Sequence, residues 1–416
     1  MKQNIVPSLL WLCLVLLLIP GPVMGDNCID CHTEWEEGPE SPSSLFESDI
    51  HHRAGLGCSD CHGGDPKLDD MDEVRESKNY RGVPEPKEIP KFCASCHSDP
   101  AYMIKYNPAL PTDQLDKYKT STHGRKLLQE GDEKAASCIS CHSAHSIESP
   151  QIPASNAYPL NLPTTCAKCH SDHEYMAEYG IPVNQFDDYT NSVHGKALLI
   201  NKDLGAPACN DCHGNHGATP PGITSISAVC GLCHALIADE FSQSPHKNAF
   251  DDRGYPECES CHSNHLVEKP SLDWVGTSDS ALCMNCHSVD DGTAGLEVAD
   301  KIHGALVDLN LAYEQADAKI TEADLKGMMT TDLQFMLKEV KQAIIKANTA
   351  VHAFDSEKVL NVTNPGMEKS ELVYQAAIAK VDDYYFRRKG LGVASLIITI
   401  LAIALYFKLK SIEKRS

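Results

Sequence analysis

The sequence predicts a mainly α chain with much irregular structure, in three successive parts: a cysteine-rich domain, an α-helical hairpin or bundle, and one C-terminal transmembrane helix. Three observations predict it. Nine copies of Cys-x-x-Cys-His recur about every 29 residues between Cys28 and His287, leaving room only for short helices in text rich in Pro, Gly, Ser and Asp. Beyond residue 290 the cysteines stop, and apolar residues recur at alternating helical spacings of three and four. Gly390 to Phe407 then runs for eighteen residues without a charge, the short end of what can cross a bilayer as a helix.

The N-terminal residues are read first. Lys2 supplies a basic n-region, Leu9 to Ile19 an apolar h-region, and Val23 to Gly25 a small-residue cleavage site. Residues 1–25 therefore read as a secretory signal peptide, and the mature chain begins at Asp26. Cys13 lies inside the h-region and leaves with it.

Residues 26–290 form the cysteine-rich domain. The 42% hydrophobic content supports more than one packed unit. Aromatics are only 6%, with 9 Phe against 19 Cys and 20 His, so large apolar side chains do not fill the interior of this part. Eighteen cysteines in an exported chain would ordinarily read as a disulfide framework, but each belongs to a pentapeptide. In chain order these are Cys28 and Cys31 with His32, Cys58 and Cys61 with His62, Cys93 and Cys96 with His97, Cys138 and Cys141 with His142, and Cys166 and Cys169 with His170. There follow Cys209 and Cys212 with His213, Cys230 and Cys233 with His234, Cys258 and Cys261 with His262, and Cys283 and Cys286 with His287. No cysteine is left over.

Two cysteines three positions apart sit one helical turn from each other, where they can bond both vinyl groups of one haem, and the next residue then lies beneath the iron as its proximal ligand. A single such pentapeptide also fits a zinc knuckle or a redox dithiol. Zinc would need the pairs to combine, and gives no reason for a histidine after all nine. The motifs thus predict nine haem c groups, with iron held by His32, His62, His97, His142, His170, His213, His234, His262 and His287.

On these motifs the segment Cys28–His287 resembles the multihaem c-type cytochromes of respiration, especially those with doubled CXXCH motifs. The resemblance implies haem attachment outside the cytoplasm, closely spaced haems, and a multihaem cytochrome domain whose fold is dictated by haem packing.

The distal ligands follow from an internal repeat. Tyr118 to Gly124 is matched by Tyr189 to Gly195, and His123 and His194 each precede the next haem cysteine by fifteen residues. Looser copies carry His246 (from Phe241) and His51 or His52 (from Phe46), and Lys301-Ile302-His303-Gly304 closes the series. Each odd-numbered motif is followed by one of these free histidines. Even-numbered motifs carry their own as CHxxH, giving His145, His216 and His265. The second motif departs, reading His62-Gly63-Gly64-Asp65, so its ligand is expected from His51, His52, His173 or His352. Twenty histidines less nine proximal ones leave eleven candidates for nine irons. Met103 and Met176 are alternative iron ligands but read more simply as packing. Asp69 to Glu73 lacks the spacing of a calcium loop and reads as a solvated loop.

Residues 291–386 form the helical domain. Ala299, Ile302, Leu306, Leu309, Tyr313, Ala316 and Ile320 define one amphipathic helix, and Leu333, Leu337, Val340, Ile344, Ala347, Val351 and Phe354 a second. Asn364-Pro365-Gly366 is expected to break the pattern before a third helix from about Glu368 to Arg387-Arg388-Lys389. Residues 387–408 are the anchor with its basic flanks, and 409–416 a cytoplasmic tail. Both flanks are basic, so export of the N-terminus orients the helix, with the haem domain in the periplasm or on the extracytoplasmic face.

The net charge of −22 argues against nucleic-acid binding and suits transient docking with basic redox partners. The expected function is a membrane-anchored electron carrier, non-catalytic in itself. It links a membrane quinone-linked redox subunit, beside which related cytochromes hold their haem domains, to periplasmic redox proteins in anaerobic respiration. The alternative is a multihaem reductase or oxidoreductase acting on a small nitrogen or sulfur compound at one open-coordinate haem, as in the nitrite reductase and hydroxylamine oxidoreductase families.

Overall fold

The computed structural model describes residues 27–35, 38–218, 227–288, 290, 292 and 294–414; the expected signal peptide, with Cys13, lies outside them. Of the described residues 66% are helical and none is in a strand, as the motif spacing predicts. It divides into two compact units, Met1–Gly222 and Ile223–Ser416. The last three motifs therefore share a unit with the long helices.

In the first unit the motifs alternate in form. The first, third and fifth lie in nine-residue helices, Asn27–Trp35, Ile89–His97 and Leu162–His170. Pro90 and Pro163 open the last two, where a missing N–H costs nothing. The second, fourth and sixth lie in five-residue helices, Cys58–His62, Cys138–His142 and Cys209–His213. In these, the residue before the second cysteine turns back to accept the N-cap amide: Asp60 from Gly57, Ser140 from Ser137 and Asp211 from Ala208. The acidic run at Asp69–Glu73 is not a loop. Asp70 caps the helix Met71–Glu76 by accepting from the amides of Asp72 and Glu73, so these charges complement a helix N-terminus.

In the second unit three helices pack together: Ala294–Leu325, Thr331–Ala350 and Ser356–Glu413. Their apolar stripes meet as predicted, with Leu309, Ala316, Ile320, Leu333, Leu337, Val340, Val373 and Ala377 in one buried cluster. Ile302, Leu306, Ala347, Ala350 and Val359 form another. Each such buried Val, Leu or Ile side chain stabilises by about 1.5–3 kcal/mol.

Two helix boundaries differ from the expected ones. The third helix starts at Ser356 and passes through Pro365 without a break. Its buried face, Val359, Thr363, Gly366, Ser370, Val373, Ala377 and Val381, keeps one helical phase across the proline, so packing on both neighbours outweighs the local penalty. Gly366 lets the three helices close up: a Cβ there would stand 2.9 Å from Leu309 and 3.0 Å from Ala343. The second helix ends at Ala350 and not at Phe354, because residues 351–353 tighten into a 3₁₀ turn and Phe354 takes φ 51°, a left-handed helix stop.

The same third helix is long and apolar enough to cross a membrane. Its most apolar window has mean hydropathy 2.3 and none of it is buried, which supports membrane anchoring rather than a core helix.

Candidate haem sites

The free histidines sit on a built turn. In Tyr118 to Gly124 the Ser121 hydroxyl donates to the Tyr118 carbonyl at 2.6 Å and accepts from the Gly124 amide at 2.8 Å. Ser192 does the same with Tyr189 and Gly195 at 2.6 and 3.0 Å. A Cβ on Gly124 or Gly195 would lie 1.9 Å from the tyrosine carbonyl oxygen, so glycine is obligatory at both. Both tyrosine hydroxyls anchor the turn from outside, donating 2.8 Å to the Ala136 and Pro207 carbonyls.

The looser copies keep the frame: an aromatic residue five positions before the histidine (Phe46, Phe241) and a buried cap two before it (Asp49, Ser244). Asp49 does more than cap. Its carboxylate, 1% exposed, accepts from the His51 amide at 2.8 Å, the His51 ring Nδ1 at 2.9 Å and the Ile147 amide at 2.7 Å. Burial pushes this carboxyl up, but the donors on His51 and Ile147 outweigh it and hold it below its ordinary value. An acceptor at Nδ1 fixes the tautomer that leaves Nε2 free for a metal. This selects His51 over His52, whose Nδ1 lies 3.3 Å from the Glu47 carbonyl. Nothing in the motif count flagged Asp49; its alignment with Ser121, Ser192 and Ser244 in the repeat was the available signal.

The even-numbered motif helices end on a shared, costly turn. The residue after the proximal histidine has positive φ in all four even motifs: Gly63 (70°), Ser143 (69°), Gly214 (79°) and Ser263 (62°). With ψ near 180°, this is a conformation essentially reserved for glycine. The third and fifth motifs end instead at Ser98 and Ser171 with φ −102° and −103°. The reversal after even motifs sends the following chain away from its own proximal ring.

Six described imidazole pairs result. His51–His97, His123–His170 and His246–His287 have ring centroids 5.8, 6.1 and 5.9 Å apart, with planes at 84°, 59° and 80°. His62–His145, His142–His216 and His262–His352 stand 6.0, 6.1 and 6.0 Å apart, with planes at 28°, 20° and 22°. Direct ring packing changes its separation with angle, whereas these pairs hold one separation at every angle. Two metal–imidazole bonds of about 2 Å, plus half a ring on each side, give about 6 Å. The pairs therefore fit a metal held between two imidazoles.

This pairing corrects two expectations. Two CHxxH histidines do not serve their own motif: His145 faces His62 of the second motif, and His216 faces His142 of the fourth. Nor does the second motif draw on His51, His52, His173 or His352. Its missing histidine has a different meaning, since His145 and His216 each face the even motif before their own and the second motif has none before it. Gly63 is also required for space, as a Cβ there would lie 1.7 Å from the Asn79 carbonyl oxygen.

The other candidates take other positions. His173 is exposed at the head of the short helix His173–Met176. His194 is half-buried on Val193–Gly195, and His265 is half-buried after the eighth motif. His303 places Nδ1 3.1 Å from the Leu272 carbonyl. Met103 and Met176 are buried core residues.

Burial pushes the imidazoles of His97, His123, His142, His170, His216, His246, His262 and His352 below the usual histidine range, which favours the neutral form that binds metal. Proximal rings are oriented too: His62 Nδ1 lies 2.8 Å from the Gly82 carbonyl.

The eighteen described cysteines are free thiols, which haem attachment would convert to thioethers. None of them is fully buried. Cys28 and Cys31 of the first motif, Cys96 of the third and Cys169 of the fifth are half-buried, as is Cys283 of the ninth. The second cysteines of the last four motifs, Cys212, Cys233, Cys261 and Cys286, are exposed. A sulfur that is to bond a haem vinyl group must be open on one side, so partial exposure suits attachment, where a packing cysteine would be enclosed.

No group of three or more His, Cys, Asp or Glu able to hold a metal ion forms among the described residues. Consecutive motifs touch instead. The Cys93 and Cys138, Cys166 and Cys209, and Cys230 and Cys258 thiols lie close enough to shift one another, which places the third motif beside the fourth, the fifth beside the sixth and the seventh beside the eighth. Each close pair splits its thiols, with Cys93, Cys166 and Cys258 raised and Cys230 lowered to about 7. Burial, with Cys166 alongside, pushes Cys141 up to about 11, linking the fourth motif to the fifth.

Comparison with known families gives two matches. Residues 50–171 match the cytochrome c3 family and residues 249–292 the doubled CXXCH motif. The first spans the second to fifth motifs and three complete histidine pairs; the second spans the eighth and ninth motifs. No curated protein and no solved structure matches the chain.

Proposed function

We propose that this chain, a multihaem c-type cytochrome by its motifs and its two family matches, relays electrons through nine haems. In this reading it joins a membrane quinone-linked partner to periplasmic acceptors in anaerobic respiration, held to the outer face of the cytoplasmic membrane by its C-terminal helix. The observation that carries the reading is the set of six imidazole pairs at one separation. When bound, each haem supplies a one-electron iron couple. The residues do the rest. An imidazole from each side would hold the metal, so these six sites would offer a substrate no place on it. Neutral imidazole in place of a thioether also favours low potentials. Contacts between cysteines of successive motifs support transfer in chain order within each unit.

The apolar segment and its basic flanks support the anchor, and the N-terminal sequence supports the outward side. About 50 Å of helix separates Ser356 from Gly390 at 1.5 Å per residue. Lys326 lies over the rings of Tyr384 and Tyr385, so the turn between the first two bundle helices is on the membrane-facing end. A membrane-side donor to the eighth or ninth haem must therefore carry redox centres beyond the bilayer surface. The excess of negative charge favours basic faces on the docking partners.

Intact mass and low-temperature EPR of the oxidised, exported protein test the reading. Nine haem additions and low-spin bis-histidine signals are expected. A high-spin ferric haem that binds nitrite or hydroxylamine would turn the assignment to a reductase.

A further inference from the structure

The even-numbered sites follow a rule that the eighth cannot obey. The second and fourth proximal histidines each face the CHxxH histidine two motifs downstream, but no even-numbered motif follows the eighth. Yet His262 has a partner of the same kind. His352 stands 6.0 Å away with planes at 22°, inside the 20–28° range of the two other even pairs and far from the 59–84° of the odd ones.

His352 belongs to no cysteine motif. It lies in the 3₁₀ turn Val351–Ala353 between the second and third bundle helices. Its Nδ1 is 3.2 Å from the Thr349 carbonyl, which as a pure acceptor holds the proton on Nδ1 and leaves the Nε2 lone pair available. The turn is pinned by the residue that follows it. Phe354 takes φ 51°, and its ring packs 3.9 Å from that of His246, itself the partner of His287 in the ninth site. The Trp274 ring lies 5.6 Å from His262 on the proximal side.

We propose that His352 is the distal iron ligand of the haem carried by Cys258, Cys261 and His262. The helical bundle then contributes an iron bond to the cytochrome, and the turn that starts the membrane-reaching helix closes the eighth site. The inference rests on the bis-histidine haem reading above.

The test is EPR and visible spectroscopy of the full-length, haem-loaded protein with His352→Gln and His352→Met, each read against the parent. Glutamine should add one haem equivalent of high-spin ferric signal, which added imidazole returns to low spin. Methionine should keep that haem low-spin and raise the potential of one haem. If the parent shows bis-histidine haems and both His352 variants match it in spin state and potential, the assignment is overturned while the general reading stands. If the parent itself lacks bis-histidine haems, the general reading fails.

Discussion

Replacing Asp49 by alanine tests whether residues behind the ligands, and not the motifs alone, build the third site. The carboxylate holds three donors in a place with almost no solvent access: two backbone amides, at 2.8 and 2.7 Å, and the His51 ring at 2.9 Å. Alanine orphans both amides, at about 1–3 kcal/mol each, so the loss comes to roughly 2–6 kcal/mol of stability. It also frees the ring that faces His97, and losing such an orienting partner typically costs about 10–100-fold in metal affinity. Asparagine keeps one carbonyl acceptor and should lose about half as much. Thermal melting of the oxidised protein reads the first effect. EPR reads the second, as a gain of high-spin signal that added imidazole removes. An Asp49→Ala protein that melts within about 1 kcal/mol of the parent, with an unchanged EPR spectrum, would refute the reasoning.

The turn after the even motifs gives a paired expectation. Ser263→Gly should raise stability by about 1 kcal/mol, because φ 62° with ψ −172° is strained for serine. Ser143→Gly should be near neutral, since it also removes the hydroxyl that accepts from Asn156 at 2.6 Å; equal gains in thermal melts would contradict the strain argument. In the bundle, Gly366→Val should cost roughly 1–3 kcal/mol by driving a side chain into Leu309 and Ala343. The cost should appear as an earlier loss of helical circular dichroism, and an unchanged melt would mean that the helices are not in close contact there.

The haem attachment sites were legible in the sequence because that chemistry is local. Cys58, Cys61 and His62 need only one helical turn to come together, and the same holds for Cys28, Cys31 and His32 or Cys283, Cys286 and His287. The bundle was legible for a similar reason, since Leu309, Val340 and their neighbours repeat in phase along each helix. Pro365 misled because the sequence displays its local penalty, whereas the packing of Gly366 against two other helices offsets that penalty from outside the segment.

The sequence by itself therefore determined how many haem motifs the chain carries, which cysteines and proximal histidines belong to them, and where helices replace them. Only the tertiary structure decided which distal histidine meets which proximal one. His145 looks in the sequence like the property of His142, three residues away, but the reversed backbone at Ser143 turns the chain outward and the ring arrives at His62, more than eighty residues back. Likewise His352, isolated in the sequence, reaches His262 because the helix pair ends in a tight turn beside the eighth motif. Coordination needs two imidazoles on opposite faces of one metal, and opposite faces are supplied by different segments of chain, whose meeting is fixed by packing and not by spacing.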